Sequence, residues 1–305
     1  MDNLLTTVSL RRLQVFLAVC ETLHMARAAE RLGVAQPALS QQIAALEAAL
    51  GVRLFNRRKR GIDLTAAGAA CRAEAERLLA AHAGAIDTVR RTARGEAGRL
   101  SLGYVASSLM ERDFPAQLKV MRDRYPDVEL ALREGGVAAL LDALERGELD
   151  AALVRAPVTV NRPLVHQVHS SQDLVAILPK GHPLAELEAV PITRLAGEAL
   201  VGFDDPEDVG IMRVVSDLAA TAGTSLQMKW RVSAIGSVLG LVAAGMGYGI
   251  VPRNIALLAG AEIVVRPLAD THARAELWLL WHEQRRSPTL ARFLAVTGES
   301  TRQES

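Results

Sequence analysis

Gln36, Ser40 and Gln41 are polar residues at a spacing that puts them on one helix face, the kind of face a helix entering a DNA major groove presents. Glutamine and serine offer both donors and acceptors, the groups that tell base edges apart in a major groove. On a helix, residues 36, 40 and 41 share a polar, small face with Ala44, while Leu39, Ile43, Leu46 and Leu50 repeat as one apolar stripe. Pro37 suits the first turn, where its missing N–H costs nothing. Leu32 closes an earlier helix, and Gly33 supplies a left-handed turn between the two. One short element later comes Arg57-Arg58-Lys59-Arg60, a cationic run placed to neutralise backbone phosphates and to make affinity salt dependent. The plainer alternatives are a helical hairpin whose polar face meets only water, and a solvated charged turn.

A second set of polar groups lies at strand ends in the C-terminal part. Ser107 and Ser108 follow LSLGYV (100–105) and precede a helix, where α/β proteins bind ligands and helix N-termini attract anions. Both serines also suit simple N-caps. Arg155 ends DAALVRA (150–156), a cation where a carboxylate ligand would want one, although a salt bridge to a neighbour satisfies it equally well.

Three other patterns offer no chemistry. Gly245-Met246-Gly247-Tyr248-Gly249 follows a helix instead of opening one after a strand, so it is no nucleotide loop. His166 and His169 point opposite ways on a strand with no cysteine or carboxylate cluster beside them, so no metal site is expected. No Ser-His-Asp arrangement with nucleophile-elbow glycines appears, and no cofactor is implied.

The elements that must position these residues follow from the pattern. Ser9 caps an amphipathic helix carrying Leu10, Leu13, Phe16, Leu17 and Cys20; residues 26–50 form the helix-turn-helix; 52–65 read as a two-stranded wing. From Ala66 to about Arg94 an Ala-rich helix carries Leu78, Leu79, Ile86 and Val89, a face it cannot bury alone, so pairing with a second copy is expected over a solvated tether. Beyond Gly95 and Gly98, strands at 100–105, 128–134, 150–156, 174–179, 199–203, 228–233, 249–252 and 276–283 alternate with helices. The reading is an α/β body with a mainly parallel sheet.

Bulk properties agree. At 305 residues, two or three domains are expected. Residues 1–95 carry 14 Lys/Arg against 8 Asp/Glu, whereas 96–305 carry 21 against 26, a basic head on a mildly acidic body. No apolar run reaches the roughly 18–20 residues of a membrane span, and no secretion signal opens the chain, so a cytoplasmic protein is expected. Cys20 and Cys71, the two cysteines, read as small buried hydrophobes.

Residues 9–70 resemble the winged helix-turn-helix of LysR-type transcriptional regulators. The resemblance rests on Leu13…Phe16, Ala28-Ala29…Leu32, the 36–40 run, Ile43…Leu46-Glu47, Leu50-Gly51…Leu54-Phe55 and Leu64-Thr65…Gly68. The body resembles the same family's effector-binding portion, two lobes like a periplasmic binding protein, through Gly147-Glu148-Leu149-Asp150, Pro179…His182-Pro183-Leu184-Ala185 and 242–252. Its pattern sits nearest the muconate- and benzoate-responsive branch.

The resemblance implies domains at 1–65, 66–94 and 95–305, the last split into lobes at about 96–167 with 267–297, and 168–266. It places Gln36, Pro37, Ser40 and Gln41 on base edges, with Arg57, Arg58 and Arg60 at the phosphates and minor groove. Effector contacts fall on Ser107, Val137, Phe203 and the turn 233–235, including Ser233 and Ile235. Implied partners are pseudo-palindromic double-stranded DNA, a small-molecule effector, RNA polymerase and the chain itself, as a dimer or dimer of dimers.

Some residues depart from the family pattern. Ala26 stands where relatives cap a helix with Ser or Thr, Gln41 where many carry Arg, and Val137 where muconate- and benzoate-responsive relatives carry a hydroxyl. With no cysteine in the body, a thiol peroxide sensor is excluded. The rival readings are a ligand-independent architectural or repressor DNA-binding protein, and an enzyme or binding-protein body tethered to DNA.

Overall fold

A computed structural model describes residues 8–58, 61–159, 163–205, 209–269 and 273–302. The chain divides into two compact units, Met1–Arg90 and Arg91–Ser305.

In the first unit, α1 (Leu10–Thr22), α2 (Met25–Leu32) and α3 (Gln36–Leu50) precede the antiparallel wing β1 (Phe55–Arg58) and β2 (Gly61–Leu64). Their core gathers Phe16, Val19, Ala28, Leu39, Ile43, Leu46 and Leu54. Ser9 caps α1 as expected, its Oγ accepting from the Arg12 N–H at 3.4 Å. The cap of α2 is His24, which makes no side-chain cap bond, and Ala26 lies inside the helix instead of at its start. Leu50 leaves the apolar stripe: it is 37% exposed at the last turn, before Gly51 turns left-handed.

A long helix, α4 (Ala66–Ala93), runs to the boundary of the two units. Thr65 fixes its start, donating its Oγ to the Arg53 carbonyl at 2.8 Å and accepting from the Gly68 N–H at 2.9 Å. Val89, Leu78 and Ile86 stand exposed along it.

The second unit contains β3 (Ala97–Tyr104), a 3-10 turn (Ala106–Met110), α5 (Asp113–Arg124), β4 (Asp127–Glu134), α6 (Val137–Glu145), β5 (Ala151–Arg155) and β6 (Leu164–Pro179). It continues with β7 (Ala199–Phe203), α7 (Gly210–Thr221), β8 (Gln227–Val232), α8 (Ile235–Ala243), β9 (Gly249–Pro252) and α9 (Arg253–Ala256). β10 (Ile263–Pro267), β11 (Arg274–His282) and α10 (Pro288–Arg302) complete it.

The sheet is mixed, not mainly parallel. β3 pairs parallel with β4 and β5, but β11 and β6 join antiparallel, as do β10 and β9 on β6. The parallel pattern holds where helices supply crossovers and fails where strands return from a distance. β6 is one sixteen-residue strand where the sequence showed only its apolar half. Residues 164–173 pair β11, and 174–179 pair β9 and β10. β7 and β8 form a parallel pair bridged to Tyr248 at Leu200.

Candidate functional site

The polar face of α3 is exposed as the spacing requires. Leu39, Ile43 and Leu46 are buried, while Gln36, Pro37, Gln41 and Ala44 face outward and Ser40 is half-buried. Among the described residues, no intramolecular hydrogen bond occupies the side chains of Gln36, Ser40 or Gln41. Ala35 caps the helix without a side-chain bond, so first-turn N–H groups remain open at the positive end of the helix dipole.

Glu47 ties this helix to the wing. Its Oε1 accepts from the N–H groups of Leu54 at 2.7 Å and Phe55 at 3.2 Å, locking recognition helix and wing into one geometry. Glu47 is only seven residues from Leu54, but a carboxylate that accepts from backbone N–H groups leaves no signature in residue spacing.

The cationic run is only partly described. Arg58 is exposed and ion-paired with Asp63 across the wing, which makes it a shared charge instead of a free one. Lys59 and Arg60 lie outside the described residues, as does the side chain of Arg57.

In the body, a cavity of about 590 Å³ opens at the carboxyl ends of β3, β4, β5, β7 and β8. Ser107, Val137, Arg155, Phe203, Ser233 and Ile235 all line it. Ser108 does not: it is fully buried, and its Oγ donates to the Val105 carbonyl at 2.8 Å, holding the 3-10 turn. Gly136 and Ala234, the caps of α6 and α8, also line the cavity, so two helix N-termini open onto it.

Arg155 is the buried charge of this site. Its Nη2 donates to Glu111 Oε1 at 2.7 Å and its Nε to Ser107 Oγ at 3.0 Å, and both charged side chains are almost wholly buried. The salt bridge weighed from sequence is therefore present, yet Nη1 has no partner among the described residues. Burial pulls the guanidinium below its usual range and Glu111 opposes that shift. Glu111 Oε2 also accepts from Gln172 Nε2 at 2.9 Å. Glu111 and Gln172 were not read as site residues, because neither lies at a strand end or on a periodic face.

His169 stands beside this pair, edge-on to Phe114 with ring centroids 6.4 Å apart, and burial pushes its pKa down to about 4. His166 instead stacks on Trp278 at 3.8 Å. Among the described residues, no group of three or more His, Cys, Asp or Glu is placed to hold a metal, and no helix is long and apolar enough to cross a membrane. The Cys20 thiol is pushed up to about 12 by burial, which holds it in the un-ionised form.

A pH dependence follows from His169. Its folded pKa lies below the ordinary value, so its neutral form stabilises the fold above pH ~6.5, and that contribution drains away as pH falls toward 4. Acid titration of stability should show a loss of about 2 kcal/mol between about pH 6.5 and 4.5. His169→Gln should flatten that slope; an unaltered slope would assign the loss elsewhere.

Two family descriptions match the chain: "Bacterial regulatory helix-turn-helix protein, lysR family" over residues 10–69 and "LysR substrate binding domain" over residues 93–302. The chain belongs to the LysR family of transcriptional regulators. It is 36% identical over 289 residues to the uncharacterized HTH-type transcriptional regulator YnfL of Escherichia coli K12, covering 94% of this chain and 96% of that one. It is 33% identical to the HTH-type transcriptional regulator BudR of Raoultella terrigena, covering 95% and 100%.

Among solved structures, the LysR family regulator CbnR superposes with a TM-score of 0.85 at 27% identity, covering 95% of this chain and all of that one. Full-length CbnR in complex with its target DNA gives 0.82 at 28% identity, covering 96% and 99%. This LysR-type chain is a DNA-binding regulator, not an enzyme.

Proposed function

We propose that this LysR-type regulator changes its promoter occupancy or activation when a small carboxylated metabolite enters the cavity that gathers Ser107, Val137, Arg155, Phe203, Ser233 and Ile235. One observation carries the reading: a buried arginine with an unpartnered Nη1 lines a cavity onto which two helix N-termini open. A carboxylate there gains a charge-assisted hydrogen bond and the favourable ends of two helix dipoles. The ligand shifts the protein between two assemblies only by as much as it prefers one over the other.

In this reading residues 1–65 hold the DNA, 66–94 pair with a second copy through the exposed face of α4, and 95–305 receive the effector. The two lobes are taken to meet along β6, which pairs with β11 over 164–173 and with β9 and β10 over 174–179. Two heads then read half-sites one or more helical turns apart on pseudo-palindromic DNA in the cytoplasm, as a dimer or dimer of dimers that meets RNA polymerase. Membership of the muconate- and benzoate-responsive branch is a narrower proposal. Val137, where those relatives carry a hydroxyl, argues for a different ligand.

Footprinting of the upstream intergenic region, with and without metabolite pools, tests the switch. A footprint unchanged by every pool would support the ligand-independent reading. Within the head, Gln41→Ala should weaken operator binding by about tenfold and relax preference at one base pair. Arg60→Ala should lower affinity for all sequences and reduce the salt slope by about one. Fluorescence anisotropy across a salt series separates the two; equal loss on operator and random DNA for Gln41→Ala would remove its base-reading role.

A further inference from the structure

Resting on the assignment of this cavity as the effector site, we infer that its ligand is an amino acid in the broad chemical sense, a small molecule with a carboxylate and a protonated amine on an apolar body. The cavity walls do not fit a purely anionic ligand. Besides Arg155, three carboxylates line it: Glu134 at the end of β4, and Asp204 and Asp205 just beyond β7. None of the three has an ion-pair or hydrogen-bonded side-chain partner among the described residues. The positive charge of Arg155 is already offset by Glu111 behind it. A dicarboxylate would therefore meet one guanidinium already paired with Glu111 and three like charges, a repulsion that the helix ends alone do not offset.

The cation and the carboxylates line one cavity: Arg155 enters it from the end of β5 and Asp204 and Asp205 from the end of β7. Burial and the neighbouring Asp204 both raise the pKa of Asp205, the strain that an incoming ammonium group relieves. Val137, Phe203 and Ile235 supply the apolar surface between the charged ends.

Calorimetric titration of the full-length protein with matched triplets tests the inference. Each triplet holds an amino acid, the same acid without its amine, and the same amine without its carboxylate: leucine, isocaproate and isoamylamine; phenylalanine, hydrocinnamate and phenethylamine; γ-aminobutyrate, butyrate and propylamine. Adipate serves as the dicarboxylate. At least one amino acid should bind about tenfold more tightly than both of its truncated partners. Asp205→Asn combined with Asp204→Asn should erase that preference without weakening the simple acid. Glu134→Gln, at an exposed position, gives a second variant should the double replacement fail to fold. Simple acids or adipate binding as tightly as the amino acids would overturn the inference and leave the effector cavity standing. No binding by any probe would overturn both.

Discussion

Arg155→Ala should lower the melting temperature of the protein by about 10 °C, because it strands Glu111 in the interior without its counter-ion. Removing one member of a buried pair costs about 3–5 kcal/mol, largely the desolvation of the charge left behind. Glu111 keeps only the amide of Gln172, and Ser107 Oγ loses its donor from Nε. For a body of this size, each kcal/mol moves the midpoint by about 2–4 °C. Arg155→Leu with Glu111→Leu should recover most of the loss, since neither charge is then left unpaired. A single variant that melts with the wild type would show that the pair contributes nothing. Since Arg155→Ala also alters folding, its effect on induction is best read from Arg155→Lys, which keeps the charge and removes the Nη geometry.

Gly68→Ala should cost about 3 kcal/mol, although alanine is ordinarily the better helix former. A Cβ at position 68 would sit 2.0 Å from the Leu54 carbonyl oxygen and 2.9 Å from Leu64 Cδ2, so the wing and the start of α4 must separate. The displacement also strains the Thr65 bonds to Arg53 and Gly68. Gly84, on the same helix, is the internal control, because nothing lies within 4 Å of its would-be Cβ. Gly84→Ala should stabilise by about 0.5–1 kcal/mol. Urea denaturation of both variants checks the pair of signs. If both stabilise, Gly68 is not held by close approach.

The recognition helix was legible because a helical stripe reports its own buried face: Leu39, Ile43 and Leu46 point inward, and the polar residues between them point out. Leu50 kept the spacing but is 37% exposed at the final turn before Gly51. Hydrophobic spacing records direction along a helix, not what covers its end. In β6 the segment 174–179 reads as an apolar run because it is buried on both faces, whereas 165–173 alternates half-exposed His, Gln and Ser and carries little strand signal. β10 was not among the expected strands although Ile263-Val264-Val265 is apolar and β-branched; the run is only three residues long before Arg266 and Pro267.

In the cavity, Val137, Phe203, Ser233 and Ile235 came from matching a family pattern, Arg155 from its position at a strand end, and Ser107 from both. Glu111, Gln172 and the three wall carboxylates came from neither. Their importance arises only once segments far apart in the chain converge, as the 44-residue separation of Arg155 from Glu111 illustrates. Ser108 sits beside Ser107 in sequence, yet a one-residue rotation around the 3-10 turn sends its hydroxyl to a backbone carbonyl.

The change of partners along β6 determines how the body is held together. A single ribbon is common to the two sets of strands, and Arg274 holds Ser171 and Asp173 together where the ribbon's pairing changes from β11 to β9 and β10. The two sets are therefore joined there by unbroken backbone, with no loop between them.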